Sequence, residues 1–426
     1  MALNGTLLPE YATERHPFAD HFPDDDRFAP PLGETVGEPA RAQRTPIRAT
    51  QFQWIDPSTL PKREWVFGRH LIRKFISCTV SPGGVGKSSL AIVEALSMVS
   101  GKSLLGIQPP SRLRFWYFNG EDPLEEIQRR VMAACLYFDL TPDDIGDRLF
   151  LDSGRDTSIV IAEQNKNGVI VARPVVDEVR ATILENKIDA WSIDPFVSSH
   201  RVSENDNGAI DVVAKQWAGI ANDTDTAGDL VHHARKTNGA EITVEDGRGA
   251  VALLAAVRAA RVLNPMSKDE AERAGVDPKL RRLHFRVDGG KGNLAPPSDA
   301  ANWYRLQSVD LGNGTDGNLD FGDSMGVVSE WEWPDPLASV TTADLRAAQA
   351  AVRAGGPWRE NVQTDNWVGK PIAQALHLDL TDKAQRAKVQ RLLKVWISTG
   401  MFVVVTGEDA HRKMKSFVEA GEPAND

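Results

Sequence analysis

Two hydrophobic rhythms alternate along the middle of this chain. Leu90, Val93, Leu96 and Met98-Val99 recur at helical spacing, which predicts a helix with one apolar stripe. Short apolar runs at 113–118, 148–151, 190–194, 229–232 and 262–264 read as strands, and stretches 124–138, 175–185 and 209–221 between them read as helices. That alternation predicts a mainly parallel sheet with helices on both faces. Upstream, Trp54, Trp65-Val-Phe67 and Phe75 suit strands that cap the same domain, and 283–334 turns to Trp/Tyr-bearing strands with glycine turns. Residues 1–48, with several prolines and the run Asp24-Asp-Asp26, lack periodicity and read as a disordered tail.

A different module follows Pro334-Asp-Pro336, which reads as a linker. Helices are expected over 343–354, 369–376 and 382–398, then a strand over 401–406, a Gly407-Glu-Asp409 turn and a return over 415–418. Val389, Leu392, Leu393, Trp396 and Ile397 form the apolar stripe of the third helix, while Lys383, Arg386, Lys388, Arg391 and Lys394 take other positions. Three helices and a hairpin make a winged-helix-like α+β domain over 338–420, set after an α/β domain over 49–333.

Composition narrows the class. At 426 residues, 41% hydrophobic and 25% charged, the chain has room for two or three globular domains. No apolar run is long enough to span a bilayer, and the N-terminus lacks a basic segment followed by an apolar core. With two cysteines, Cys78 and Cys135, a disulfide framework is excluded, and a cytoplasmic protein with no membrane partner is expected. The net charge of −10 argues against nucleic acid, but from Thr341 to Ser416 twelve Lys/Arg face seven Asp/Glu. An acidic body with a basic C-terminal module suits DNA contact at one end.

The chemistry begins at Cys78-Thr-Val-Ser-Pro-Gly-Gly-Val-Gly-Lys-Ser-Ser-Leu90, a strand, a glycine turn and a helix start. This is a phosphate-binding P-loop, in which backbone N–H groups of Gly83, Gly84, Val85, Gly86, Lys87, Ser88 and Ser89 converge on phosphates at a helix N-terminus. Lys87 would reach the β- and γ-phosphates of ATP, and the Ser88 hydroxyl would sit on Mg²⁺. Ser81 stands where the pattern G-x-x-x-x-G-K-[ST] has its first glycine. The later Gly101-Lys102-Ser103 lacks a preceding strand and reads as a helix-ending turn.

Two further strands end in acids. The run 115–119 delivers Glu121 and Asp122, and the run 188–193 delivers Asp194. A carboxylate at such a position holds Mg²⁺ while another polarises the attacking water, and Asp194 and Glu121 are assigned these roles. Acids at 121–122 equally suit the start of the following helix. Asn186-Lys-Ile-Asp189 matches a guanine-specificity motif, but it precedes a strand rather than following one, so GTP is rejected. His232 and His233 close the next strand, where a polar group senses the γ-phosphate; the alternative is a histidine that only completes the core.

Taken together, these residues resemble the RecA-like hexameric ATPases, specifically the RepA-type replicative helicases of plasmids and phages. The resemblance covers about residues 50–310. It rests on Gly83-Gly-Val-Gly-Lys-Ser88, Asn119-Gly-Glu-Asp122, Ile193-Asp-Pro-Phe196, His232-His-Ala-Arg-Lys236, Arg248-Gly249 and the turn Lys291-Gly-Asn293 with Ala295-Pro296. It implies a RecA-like core, Glu121 as catalytic carboxylate, Asp194 on Mg²⁺ and His233 as sensor. It also implies that Lys236, Arg248 or Lys291 reaches into a neighbour's nucleotide, and that 199–207 is a DNA-facing loop. The resulting expectation is a ring-forming, ATP-hydrolysing DNA helicase or translocase for plasmid or phage replication. Its partners would be further copies of itself, single-stranded DNA and replication proteins, with Arg386, Lys388, Arg391 and Lys394 contacting DNA. A recombination mediator or remodelling ATPase that does not unwind is the alternative within the fold. An ATP-dependent winged-helix regulator is the alternative from another class.

Overall fold

The computed structural model describes residues 48–234, 241–247, 250–292, 294, 301–315, 322–335, 337–338, 340–409 and 412–422. The expected tail through residue 47, Lys236, Arg248-Gly249, Asn293, Ala295-Pro296 and Pro336 lie outside the described residues. The chain divides at Pro61 into two units. In the described part of the first, the Asp56 carboxylate caps a single turn, Pro57–Thr59, by accepting from the Ser58 N–H.

In the second unit, nine strands among the described residues form one sheet. Its parallel part holds β3 (Ile76–Ser81), β4 (Phe115–Asn119), β5 (Leu149–Ser153), β8 (Ala190–Asp194), β9 (Ala227–His233) and β10 (Ala259–Pro265). Antiparallel β11 (His284–Gly292), β12 (Asn302–Asp310) and β13 (Ser324–Glu330) extend the β10 edge. The order is β13-β12-β11-β10-β3-β9-β8-β4-β5. Thus the strand leading into the glycine loop is separated from the Asp194 strand by β9 alone. The sequence expectation of an α/β P-loop core holds, with strand limits displaced by a few residues at most.

Both faces are covered, as parallel strands require. On β4, Phe115 and Tyr117 point to the face carrying α1 (Lys87–Ser100) and α2 (Leu124–Tyr137). Trp116 and Phe118 point to the face carrying α4 (Arg173–Glu185), α5 (Asn207–Asp223) and α6 (Ala250–Ala256). On that second face Trp191 and Trp217 lie 4.9 Å apart, and a side chain at Gly228 would have its Cβ 2.2 Å from the Trp191 ring. A buried ion network ties α1 to the sheet. Arg261 on β10 makes a fork of 2.5 and 2.7 Å to the Glu94 carboxylate and reaches the Thr79 hydroxyl at 2.9 Å.

The strand expected at Trp65-Val-Phe67 is β1 (Trp65–Phe67), paired with β2 (Leu71–Ile72); the sequence pattern does not announce the short α3 (Pro142–Ile145), the hairpin β6 (Ala162–Asn165) with β7 (Gly168–Val171), or α7 (Lys268–Ala274). β6 has no rhythm to read, because Ala162 alone in it is buried. The C-terminal elements are α8 (Thr342–Arg353), α9 (Gly369–Ala375), α10 (Lys383–Ser398) and the hairpin β14 (Phe402–Glu408) with β15 (Met414–Ala420). They share a core of their own built on Trp367, Val389, Leu392, Trp396 and Phe402. Among the described residues no helix is long and apolar enough to cross a membrane.

Candidate active site

The glycine loop joins β3 to α1 in the form its residues dictate. Gly84 and Gly86 take φ of 78° and 107°, values that L side chains rarely adopt. A Cβ on Gly86 would also lie 3.2 Å from Leu306 of β12, so the sheet extension roofs the loop. Ser81 is the last residue of β3, wholly buried, with its hydroxyl donating to the Pro82 carbonyl at 2.9 Å. It needs no glycine because its backbone is extended. Val85 is buried in the core, and the Ser89 hydroxyl accepts from the Val328 N–H at 3.0 Å, so both offer the loop backbone alone. The second Gly-Lys-Ser is a helix end: Gly101 caps α1 with φ 73°.

One strand-end acid, Asp194, meets the loop. Lys87 Nζ lies 3.5 Å from Asp194 Oδ1. The other oxygen, Oδ2, accepts from the Tyr117 hydroxyl at 2.8 Å. Asn119 donates to the same hydroxyl at 3.3 Å, and the Ser88 side chain stands near enough to it to favour the charged phenol. Burial first, then the Asp194 charge, pushes the Tyr117 phenol well above its ordinary range, so it stays a donor. Tyr117 therefore links the two residues assigned to Mg²⁺. Its aromatic character reads in the sequence only as core.

Glu121 and Asp122 separate by partner. Asp122 pairs with Arg130 at 2.7 Å, and Arg130 also holds Glu126, so Asp122 belongs to the start of α2. Glu121 is exposed, with no ion pair among the described residues. Its backbone is clamped from three sides. The Asn119 side-chain oxygen accepts from the N–H groups of Glu121 and Asp122 at 3.0 and 2.8 Å. Arg155 donates to the Glu121 carbonyl at 2.7 Å. Gly120 donates to the Asp194 carbonyl at 2.8 Å and sits so close to Ser198 that an added Cβ would be 2.2 Å from the Ser198 Cβ. Asn119 stands in the sequence as the first residue of the Asn119-Gly-Glu-Asp122 turn but without an assigned role, and nothing in the spacing of Arg155 and Ser198 marks them.

Adjacent residues on a strand face opposite ways, and this separates the histidines. His232 is buried with its ring 5.8 Å from Phe196. His233 is half-buried; burial and then the Lys87 charge lower its basicity, against opposing pulls from Glu121 and Asp194. It is thus the member of the pair that faces the site. Phe196 also meets buried His200 edge to face, ring centres 4.8 Å apart, and burial lowers the His200 pKa to about 4. The stretch 199–207 is not a free polar loop: Ser199 accepts from the Trp217 indole at 3.1 Å, and the Ser203 N–H donates to Gln164 of β6 at 3.0 Å. Asp189 of the rejected guanine motif binds Arg73 at 2.5 Å and the Arg114 N–H at 2.9 Å, a structural use.

The remaining candidates lie apart. Lys291 donates to the Leu254 carbonyl at the end of α6. On α10, Arg386 is 5.7 Å from the Trp367 ring centre, Lys388 is half-buried, and Arg391 and Lys394 line a groove with α7.

The arrangement fits a divalent cation beside a nucleotide. Asp194 Oδ1 is buried without a hydrogen-bond donor, next to Lys87 and one phenol away from the Ser88 hydroxyl. Among the described residues no cluster of three His, Cys, Asp or Glu forms. A single unpartnered carboxylate oxygen such as Asp194 Oδ1 suits Mg²⁺, which is held by one or two protein oxygens with phosphates and water. Residues 41–239 match a family model described as an AAA domain. That match spans just under half of the chain, and together with the loop, the sheet and the buried Asp194 beside Lys87 it supports a P-loop ATPase.

Proposed function

We propose that the protein is an oligomeric, RepA-like DNA helicase or translocase that hydrolyses ATP during plasmid or phage replication. The observation that supports hydrolysis is that Lys87 lies 3.5 Å from Asp194 and that both, with Glu121, act on the charge of His233, while the neighbouring acid Asp122 is taken by Arg130. ATP would lie with its phosphates on the amides of 83–89 and on Lys87, whose charge stabilises the transferring phosphoryl group. Ser88 and Asp194 would hold Mg²⁺, which supplies charge neutralisation at the β- and γ-phosphates. Glu121, held by Asn119 and Arg155, would orient the attacking water, and neutral His233 would register the γ-phosphate by hydrogen bonding. A cation from a neighbouring copy would complete the site, with Lys236, Arg248 and Lys291 as candidates.

DNA enters the reading through the basic C-terminal module over 338–420, taken as a winged-helix-like domain. A second reading, a DNA-remodelling ATPase that does not unwind, shares the same site and the same basic module, in which Arg391 and Lys394 line a groove with α7. The test is ATP turnover of wild type and Glu121→Gln, with and without single-stranded DNA, with mass followed by light scattering. Turnover by an oligomer that DNA accelerates and the substitution abolishes is expected. Turnover that survives Glu121→Gln overturns the mechanism, and turnover indifferent to DNA overturns the motor.

A further inference from the structure

The groove between α7 and α10 has an unusual lining. It encloses about 530 Å³ and is bordered by Trp333, by Asp269, Glu272 and Arg273 of α7, and by Arg391 and Lys394 of α10. Among the described residues no ion pair crosses it, although Asp269 and Glu272 stand with Arg273 on one wall and Arg391 and Lys394 on the other. Arg391 Nε and Nη1 are buried there without a hydrogen-bond acceptor. Its Nη2 lies beside Gly275, the left-handed residue that ends α7, where an added Cβ would be 3.4 Å away, an ordinary contact.

Trp333 gives the groove a stiff aromatic wall. Its ring centre lies 5.3 Å from Trp303 and 5.8 Å from Trp331, and that cluster rests on Met266, Ala271 and Ala274. Arg273 sits 5.9 Å from the Trp333 ring. A held indole beside unpaired guanidinium donors matches an aromatic ring joined to an anion, and the two acids match N–H donors on that ring.

We infer that this groove binds an unstacked nucleobase together with its phosphate, supplied by single-stranded DNA. The volume accommodates roughly one such unit within the range of small-ligand pockets, whereas a duplex keeps its bases stacked inside. A single strand is favoured over a free nucleotide because Arg391 and Lys394, three residues apart on α10, give successive phosphates a common track. The site is separate from the P-loop but rests on the DNA-dependent reading above.

The experiment measures anisotropy of labelled oligo(dT) with the full chain, the P-loop saturated by ADP and Mg²⁺, across a salt series. Wild type is compared with Trp333→Leu, which keeps apolar packing but removes the indole face, and with Arg391→Gln. Trp333→Leu is expected to weaken binding about fivefold or more, the lower end of what one base–aromatic stack contributes. Arg391→Gln is expected to flatten the salt slope by about 0.7, one phosphate contact on a single strand. If Trp333→Leu lowers the melting temperature, Arg391→Gln alone decides. Wild-type affinity and slope in a folded Arg391→Gln overturn the inference while leaving DNA binding intact. Failure of wild type to bind oligo(dT) overturns the DNA reading itself. Quenching by free dTMP that is lost in Trp333→Leu, with oligo(dT) binding unchanged, overturns the single strand as the source.

Discussion

Tyr117→Phe removes one oxygen from the centre of the site and leaves the volume of the ring in place. In the wild type that oxygen donates to Asp194 at 2.8 Å and hydrogen-bonds to Asn119 at 3.3 Å. Because Asp194 Oδ1 has no hydrogen-bond donor, the substitution leaves this buried carboxylate with Lys87 at 3.5 Å as its remaining partner. A hydrogen bond to a charged group contributes about 1.5–3 kcal/mol, and no cavity term adds to it because phenylalanine fills the same space. The expected loss of stability is therefore about 2 kcal/mol, read as a lower urea midpoint at constant slope. The functional expectation is separate. Asp194 and Ser88 lose their shared link, so turnover should fall about tenfold or more and saturate only at higher Mg²⁺ concentration. Measured stability within about 0.5 kcal/mol of wild type, with an unchanged Mg²⁺ dependence, would refute the role given to the phenol.

Two further tests address neighbouring parts. Burial pushes the Glu94 carboxyl up, but Arg261 and His70 outweigh it and hold the carboxyl at about 2, below its ordinary 4.5. A carboxyl depressed in the folded state contributes stability that is present above its unfolded value and lost as pH falls. Urea midpoints should thus decline between about pH 4.5 and 2, and Glu94→Gln, which leaves Arg261 buried and short of its partner, should flatten that part of the profile and cost about 3–5 kcal/mol. Gly120→Ala should cut turnover with Glu121 still present, because its Cβ would collide with Ser198; Ser198→Gly in the same chain should restore turnover, and a double variant as inactive as the single one would show that crowding is not the cause.

The loop, the strand-end acids and the alternation of strands and helices were readable in the chain because each depends on local order. A glycine run before Lys87-Ser88, an acid just past an apolar run and a hydrophobic period are all properties of neighbouring residues. What distinguished His233 from His232, and Glu121 from Asp122, was the tertiary structure. Strand pleating turns one histidine inward, and Arg130, eight residues beyond Asp122, claims one acid and leaves the other. The Tyr117 link, the Gly120–Ser198 contact and the Arg261–Glu94 pair join residues between 29 and 167 positions apart or hidden within apolar runs. No local pattern encodes such pairings. They arise only when the sheet order sets β4 beside β8 and β10 beside β3, bringing distant side chains to the same end or face. The basic residues of α10 show the same division: their number and spacing belong to the chain, but which of them meet α7 was decided by packing.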